Sequence, residues 1–191
     1  MPRLPFPDVD EAPEAVRKML DKLPYDLAAI HMFAHASGAF APWARMNSAV
    51  LVDCDLDPVA RELAICVAAW SDSPQYEYPH HRKAARRAGV LEEQLRAIER
   101  GEFGPDLFST RDLAIVRFGD EVVRNVRAAD GTMDELRRHF SDRQVVEIIL
   151  LVAQYMMNSR VAENAGLTLA DDAEFARTPN GQAATIAARR G

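Results

Sequence analysis

The stretch Asp57-Pro58-Val59-Ala60-Arg61-Glu62-Leu63-Ala64-Ile65-Cys66-Val67-Ala68-Ala69-Trp70 decides the architecture of this chain. Asp57 and Pro58 are an N-cap and a first-turn proline. Together they open a helix, because the cap side chain satisfies an orphan N–H and proline has none to lose. Leu63, Ile65, Cys66, Val67 and Ala68 leave little polar surface, which predicts a helix buried over most of its circumference as far as about Trp70. Glu62 is the exception within it. A carboxylate in such a helix requires a partner, since burying one unpaired is costly.

Downstream, Ser71-Asp72-Ser73-Pro74 reads as a turn, with Ser73-Pro74 capping a helix that stops at Gly89. Its opening, Pro74-Gln75-Tyr76-Glu77-Tyr78-Pro79-His80-His81, holds the densest chemistry in the chain. Glu77 and His81 are spaced i,i+4, which on a helix puts their Cβ atoms about 5–6 Å apart. A carboxylate beside an imidazole favours the protonated ring, so such a pair can hold, deliver and recover a proton. If the two helices pack antiparallel, Glu62 faces the same pocket, giving a candidate catalytic set of Glu62, Glu77 and His81. Tyr76 and Tyr78 flank the pair and His80 adjoins it, as expected of an apolar-walled polar pocket. Pro79 cuts across this geometry: either the helix kinks there, or it starts at Pro79 and Glu77 belongs to the entering turn. The alternative for the pair is a solvated surface couple.

The remaining chain also reads as helical, with no convincing strand. Helices are expected over Glu14–Leu23, Tyr25–Ala36 (closed by Ser37-Gly38), Pro42–Val52 and Leu91–Arg100. A loop follows from Glu102 to Thr110. Ser109 with Asp112 caps a helix to about Ala128, Asp130-Gly131 is read as a turn, and Thr132/Glu135 and Ser141/Gln144 as capping boxes. The last of these opens the longest helix, Asp142 to Ala165, apolar nearly all round and expected at the centre of the core. From Thr168 the sequence is polar and rich in small residues, and 168–191 is read as a tail that wraps a neighbour or stays disordered. The whole, residues 1–191, is one all-α domain.

Other side chains are weaker candidates. His31 and His35 are spaced i,i+4, but with no third ligand near in sequence no metal site is expected; His35 is placed at the pocket edge. Arg82, Lys83, Arg86 and Arg87 are either a solvated helix face or a rim attracting an anionic substrate. Cys54 and Cys66 lie twelve apart, neither a redox pair nor a metal spacing, and read as reduced thiols. A net charge of −6 argues against nucleic acid, and no run approaches the about twenty apolar residues of a membrane span. The proline-rich start lacks the apolar core of a signal peptide, so a cytoplasmic protein is expected.

Arg61-Glu62-Leu63-Ala64-Ile65, then Tyr76-Glu77-Tyr78 and His81, then Ala84 to Gly89, resemble the signature of the carboxymuconolactone decarboxylase family. Its superfamily includes the alkyl hydroperoxidase D-type (AhpD-like) proteins. The resemblance is strongest over roughly residues 56–98 and implies an AhpD-like helical bundle. In the peroxidase branch the motif resembles Cys-x-x-Cys-x-x-x-His with a glutamate upstream. Those cysteines fall on Pro74 and Glu77, the histidine on His81 and the glutamate on Glu62, so both thiols are missing and thiol peroxidase chemistry is not expected. The decarboxylase branch implies cofactor-free chemistry on a small carboxylated lactone or ring. There His81 would be the acid that protonates carbon, with Glu77 orienting it and Glu62 tuning the pair. The resemblance also implies a homo-oligomer, a trimer or hexamer. The competing expectation is a non-catalytic oligomeric binding module on the same scaffold.

Overall fold

A computed structural model describes residues 2–23 and 26–175. Among the described residues there are ten helices and no strand, as the patterning predicts. They are α1 (Glu14–Leu20), α2 (Ala28–Ala34), α3 (Ser37–Val52), α4 (Pro58–Asp72), α5 (Glu77–Ala88), α6 (Glu92–Arg100), α7 (Thr110–Asn125), α8 (Asp130–His139), α9 (Asp142–Ala165) and α10 (Leu169–Phe175). The chain divides into two compact units, residues 49–160 and residues 1–48 with 161–191.

The unit 49–160 is built around α4. Asp57 Oδ1 accepts from the Val59 and Ala60 N–H groups at 3.1 Å each, satisfying the first turn. Leu63, Ile65, Cys66 and Val67 are buried, and α5, α6 and α7 pack against the helix. Each such side chain, buried in full, stabilises the fold by about 1.5–3 kcal/mol. Gly119 lets α7 come close, since a Cβ there would lie 3.2 Å from Val67 Cγ1. Gly89, at φ 108°, ends α5 in the left-handed conformation that glycine adopts without strain.

The capping expectations divide. Ser141 and Gln144 form their reciprocal box, Gln144 N–H to Ser141 Oγ at 3.3 Å and Ser141 N–H to Gln144 Oε1 at 3.0 Å. Thr132 and Glu135 do not, and Asp130-Gly131 is the first turn of α8 rather than a connecting turn. The reason is Glu121 of α7. Its carboxylate takes the Ala129 N–H at 2.8 Å and the Thr132 hydroxyl at 2.7 Å, doing from a neighbouring helix what a local cap would do. Likewise Ser37-Gly38 opens α3 instead of closing α2, so Pro42 lies inside that helix.

Helix α9 is not central to the core all round. Val145, Ile148, Leu151, Val152 and Tyr155 are buried, while Val146, Ile149, Leu150 and Met157 on the other side are exposed. It is the described helix long and apolar enough by composition to cross a membrane, and half of that window is buried inside the protein. Glu147 finds its partners in Arg143, one turn back at 2.9 Å, and the Asp55 N–H at 2.8 Å.

In the other unit Val16, Ile30, Ala34 and Phe40 form a small core, with Phe33 stacked on Trp43 at 4.0 Å between ring centroids. The sequence reading missed α10. Thr168 donates its N–H and hydroxyl to Asp171 Oδ2 at 2.7 and 2.9 Å, and Asp172 Oδ1 accepts the Ala28 N–H at 2.8 Å. Short polar residues at a helix start are caps before they are disorder. Of the expected tail, residues 176–191 lie outside the described residues, as does Tyr25 of the second expected helix.

Candidate active site

Packing of α5 on α4 brings His81 to Glu62. The His81 Nδ1 lies 3.0 Å from Glu62 Oε2, and the Glu62 side chain is only 4% exposed. The other oxygen, Oε1, receives Arg61 Nε and Nη2 at 3.3 Å each, while Arg61 Nη1 donates to the Leu51 carbonyl at 2.9 Å. Tyr155 of α9 meets the imidazole edge-on, with ring centroids 4.4 Å apart and planes at 77°. A buried carboxylate with a guanidinium and an imidazole as donors is compensated rather than stranded.

This arrangement sets the roles of the imidazole nitrogens. An ionised carboxylate only accepts, so Nδ1 carries the hydrogen directed at Glu62. In the neutral ring Nε2 is then a base; in the protonated ring it is an acid. Among the described residues no hydrogen bond reaches Nε2.

The carboxylate against His81 is therefore that of Glu62, the position the sequence reading gave to Glu77. Helix α5 begins at Glu77, so Pro79 is its third residue and neither kinks nor starts it. The first four N–H groups of a helix have no intrahelical acceptor, and proline there breaks nothing. Glu77 is itself buried, and its N–H donates to Ser73 Oγ at 3.4 Å.

The flanking residues separate. Tyr76 is buried and edge-on to His80, with centroids 5.3 Å apart. Tyr78 belongs to a different network: its hydroxyl donates to Glu99 Oε1 at 2.8 Å and its ring meets Trp70. Burial, with the Glu99 carboxylate beside it, pushes its phenol well up. Arg82 joins the same network, bound to Glu99 at 3.0 Å and to Glu92, whose carboxyl it holds below the usual range. Arg86 also leans on Glu92, at 3.7 Å, so half of the expected basic rim is neutralised within the fold. His35 lies in the other unit, where its Nε2 meets the Pro5 carbonyl at 2.7 Å; His31 is paired there with Asp26.

Neither thiol joins the site. Cys66 is fully buried, and desolvation, reinforced by the Glu62 charge, pushes its thiol well up. Cys54 is half-buried. A surface groove of about 620 Å³ in the same unit is lined by Trp70, Pro74, Phe103, Arg100 and Arg124 among others, and by neither Glu62 nor His81.

Arg61 and Tyr155 are the contributors that sequence reading missed. Neighbours at i,i+1 do not face each other on a helix, so nothing in the spacing marks Arg61 as the partner of Glu62. Tyr155 sits in an apolar helix, where an aromatic reads as core.

Solved structures share the all-helical fold that places this carboxylate–imidazole pair between two consecutive helices. An uncharacterized peroxidase-related protein from Ralstonia eutropha JMP134 is similar, with TM-score 0.73 and 19% identity over 86% of this chain and 90% of that one. A peroxidase-related protein from Silicibacter sp. is similar with TM-score 0.71 and 18% identity, over 87% and 89%. A debrominase variant solved in complex with 2,3,4-tribromopyrrole is similar with TM-score 0.66 and 15% identity, over 93% and 92%. No curated protein matches the chain. Residues 38–103, which include α4 and α5 with Glu62 and His81, match the model of the carboxymuconolactone decarboxylase family.

Proposed function

We propose that the protein is a cytoplasmic, cofactor-independent acid/base enzyme, a decarboxylase-like lyase acting on a small carboxylated lactone or ring. The observation that carries this reading is the contact of His81 Nδ1 with the buried Glu62 carboxylate at 3.0 Å. It prepares Nε2 for proton transfer, which a positioned side chain accelerates by about 100- to 10,000-fold. In the proposed step the bond to the substrate carboxylate breaks, carbon dioxide leaves, and the electron pair passes into the lactone or ketone system as an enolate. The Nε2–H of protonated His81 then gives its proton to carbon, and water restores it. Glu62 stabilises the imidazolium before that transfer. The family match supports the reaction class, and the bound tribromopyrrole of the similar debrominase supports a small ring as ligand.

The test is carbon dioxide release from a panel of small carboxylated lactones and cyclic keto acids. Turnover is expected with the native protein and abolished in His81→Gln. A substrate turned over equally by His81→Gln would remove the proton-donor role.

A second reading, an oligomeric binding scaffold without catalysis, is favoured by one observation: the exposed apolar side of α9, with Val146, Ile149, Leu150 and Met157. Patches of that kind mark contact surfaces. Ligand binding without turnover across the panel would favour it.

A further inference from the structure

Glu62 divides its two oxygens between two partners, and the division is made by Arg61. Both Nε and Nη2 of Arg61 converge on Oε1, at 3.3 Å each, leaving Oε2 to His81 Nδ1 at 3.0 Å. The guanidinium is anchored from behind, since Nη1 donates to the Leu51 carbonyl at 2.9 Å near the end of α3. A planar fork tied at three nitrogens has little freedom to rotate, so Oε1 stays claimed. Arginine also remains charged at any working pH, so its fork donates to Oε1 throughout.

We propose that Arg61 is a positioning residue for His81: by holding Oε1 of Glu62, it fixes Oε2 as the acceptor of Nδ1–H and so determines that Nε2 is the nitrogen presented for chemistry. This rests on the acid/base reading above but concerns the resting protein, so it is testable without a substrate. Without Arg61, the carboxylate could rotate and turn either oxygen to the imidazole. Tyr155 on α9 also meets the His81 ring.

The experiment is nitrogen-15 NMR of ring-labelled histidine in the folded protein, with His81 assigned by loss of its signals in His81→Gln. In the native protein, above the pH at which His81 loses its proton, the ring is expected almost wholly as the Nδ1–H tautomer. In Arg61→Met the ratio of the two tautomers is expected to fall by about tenfold, the size of one hydrogen bond to a charged group. Arg61→Lys keeps the charge and loses the fork, and is expected to recover only part of the ratio; it also serves if Arg61→Met does not fold. An unchanged ratio in folded Arg61→Met, or in folded Arg61→Lys where only that variant folds, would overturn the role of Arg61. A native ring found mainly as the Nε2–H tautomer would instead overturn the Glu62–His81 reading itself.

Discussion

The Glu62 carboxylate of α4 and the His81 imidazole of α5 meet at 3.0 Å between Oε2 and Nδ1, with both side chains at least largely withdrawn from water. Glu62→Gln keeps the shape and removes the charge that stabilises an imidazolium. Turnover of any substrate found is expected to fall by about 100-fold or more, as it does in His81→Gln. The two variants should differ in stability. Glu62→Gln leaves the Arg61 guanidinium without its counter-charge and is expected to cost about 1–3 kcal/mol by denaturant unfolding. His81→Gln removes a partly exposed ring and should cost less. Equal activity of Glu62→Gln and native protein would dismiss the pair as machinery.

Asp57 ties two elements together. It caps α4 through the Val59 and Ala60 N–H groups and pairs with Arg111 of α7. Partial burial pushes its carboxyl up, but the Ala60 N–H, the Arg111 guanidinium and the Val59 N–H outweigh that and hold the pKa below its ordinary value. A depressed pKa means that the stabilisation is present above the unfolded-state value near 3.8 and is lost as pH falls through the lower folded-state value. Asp57→Ala is expected to cost about 1 kcal/mol at neutral pH. The difference from native protein should shrink on acidification below about pH 4. Urea unfolding at neutral and acid pH measures both, and a penalty that is constant with pH would refute the ionic part.

What the sequence disclosed, and what it withheld, follow from the range of the interactions. The α4 cap, the glycine end of α5 and the Ser141/Gln144 box were legible because each is made within a few residues. Glu62 was legible as a problem, a carboxylate in an apolar helix, and His81 as a group able to answer it. Their direct contact was not, because it depends on how α5 lies on α4, and periodicity along one helix cannot supply that. The same limit explains Tyr78, which reads as a wall of the site and instead serves Glu99 across the unit. Glu121, which caps α8 from α7, shows a local signal overruled by a distant carboxylate.

The outer side of α9 gives a prediction about assembly. Val146, Ile149, Leu150 and Met157 recur at helical spacing and are 53%, 36%, 37% and 42% exposed, so one face of the helix is an apolar stripe. If copies of the chain associate through it, Leu150→Glu should lower the mass measured by light scattering while leaving the helical circular dichroism unchanged. The substitution adds a charge at an exposed position, where the fold tolerates it. An unchanged mass, whether that of a monomer or of an oligomer, would remove α9 from any interface.

The two cysteines give the sharpest discrimination from thiol chemistry. Reaction of a thiol with an alkylating or disulfide reagent proceeds through the thiolate. For Cys66 the thiolate is disfavoured twice, by complete burial and by the Glu62 charge nearby. Cys54 is half-buried and reachable. At neutral pH the folded protein is expected to release one equivalent from a disulfide reagent, and the second only on unfolding. Hydroperoxides should be consumed no faster than by Cys54→Ser. Pro74 and Glu77 stand where the resembling peroxidase motif has its thiols, so neither Cys54 nor Cys66 occupies a motif position from which to form or resolve a sulfenic acid. Two equivalents titrating rapidly in the folded state, together with catalytic peroxide turnover lost in Cys66→Ala, would overturn this and make Cys66 the working residue in place of a bystander behind Glu62.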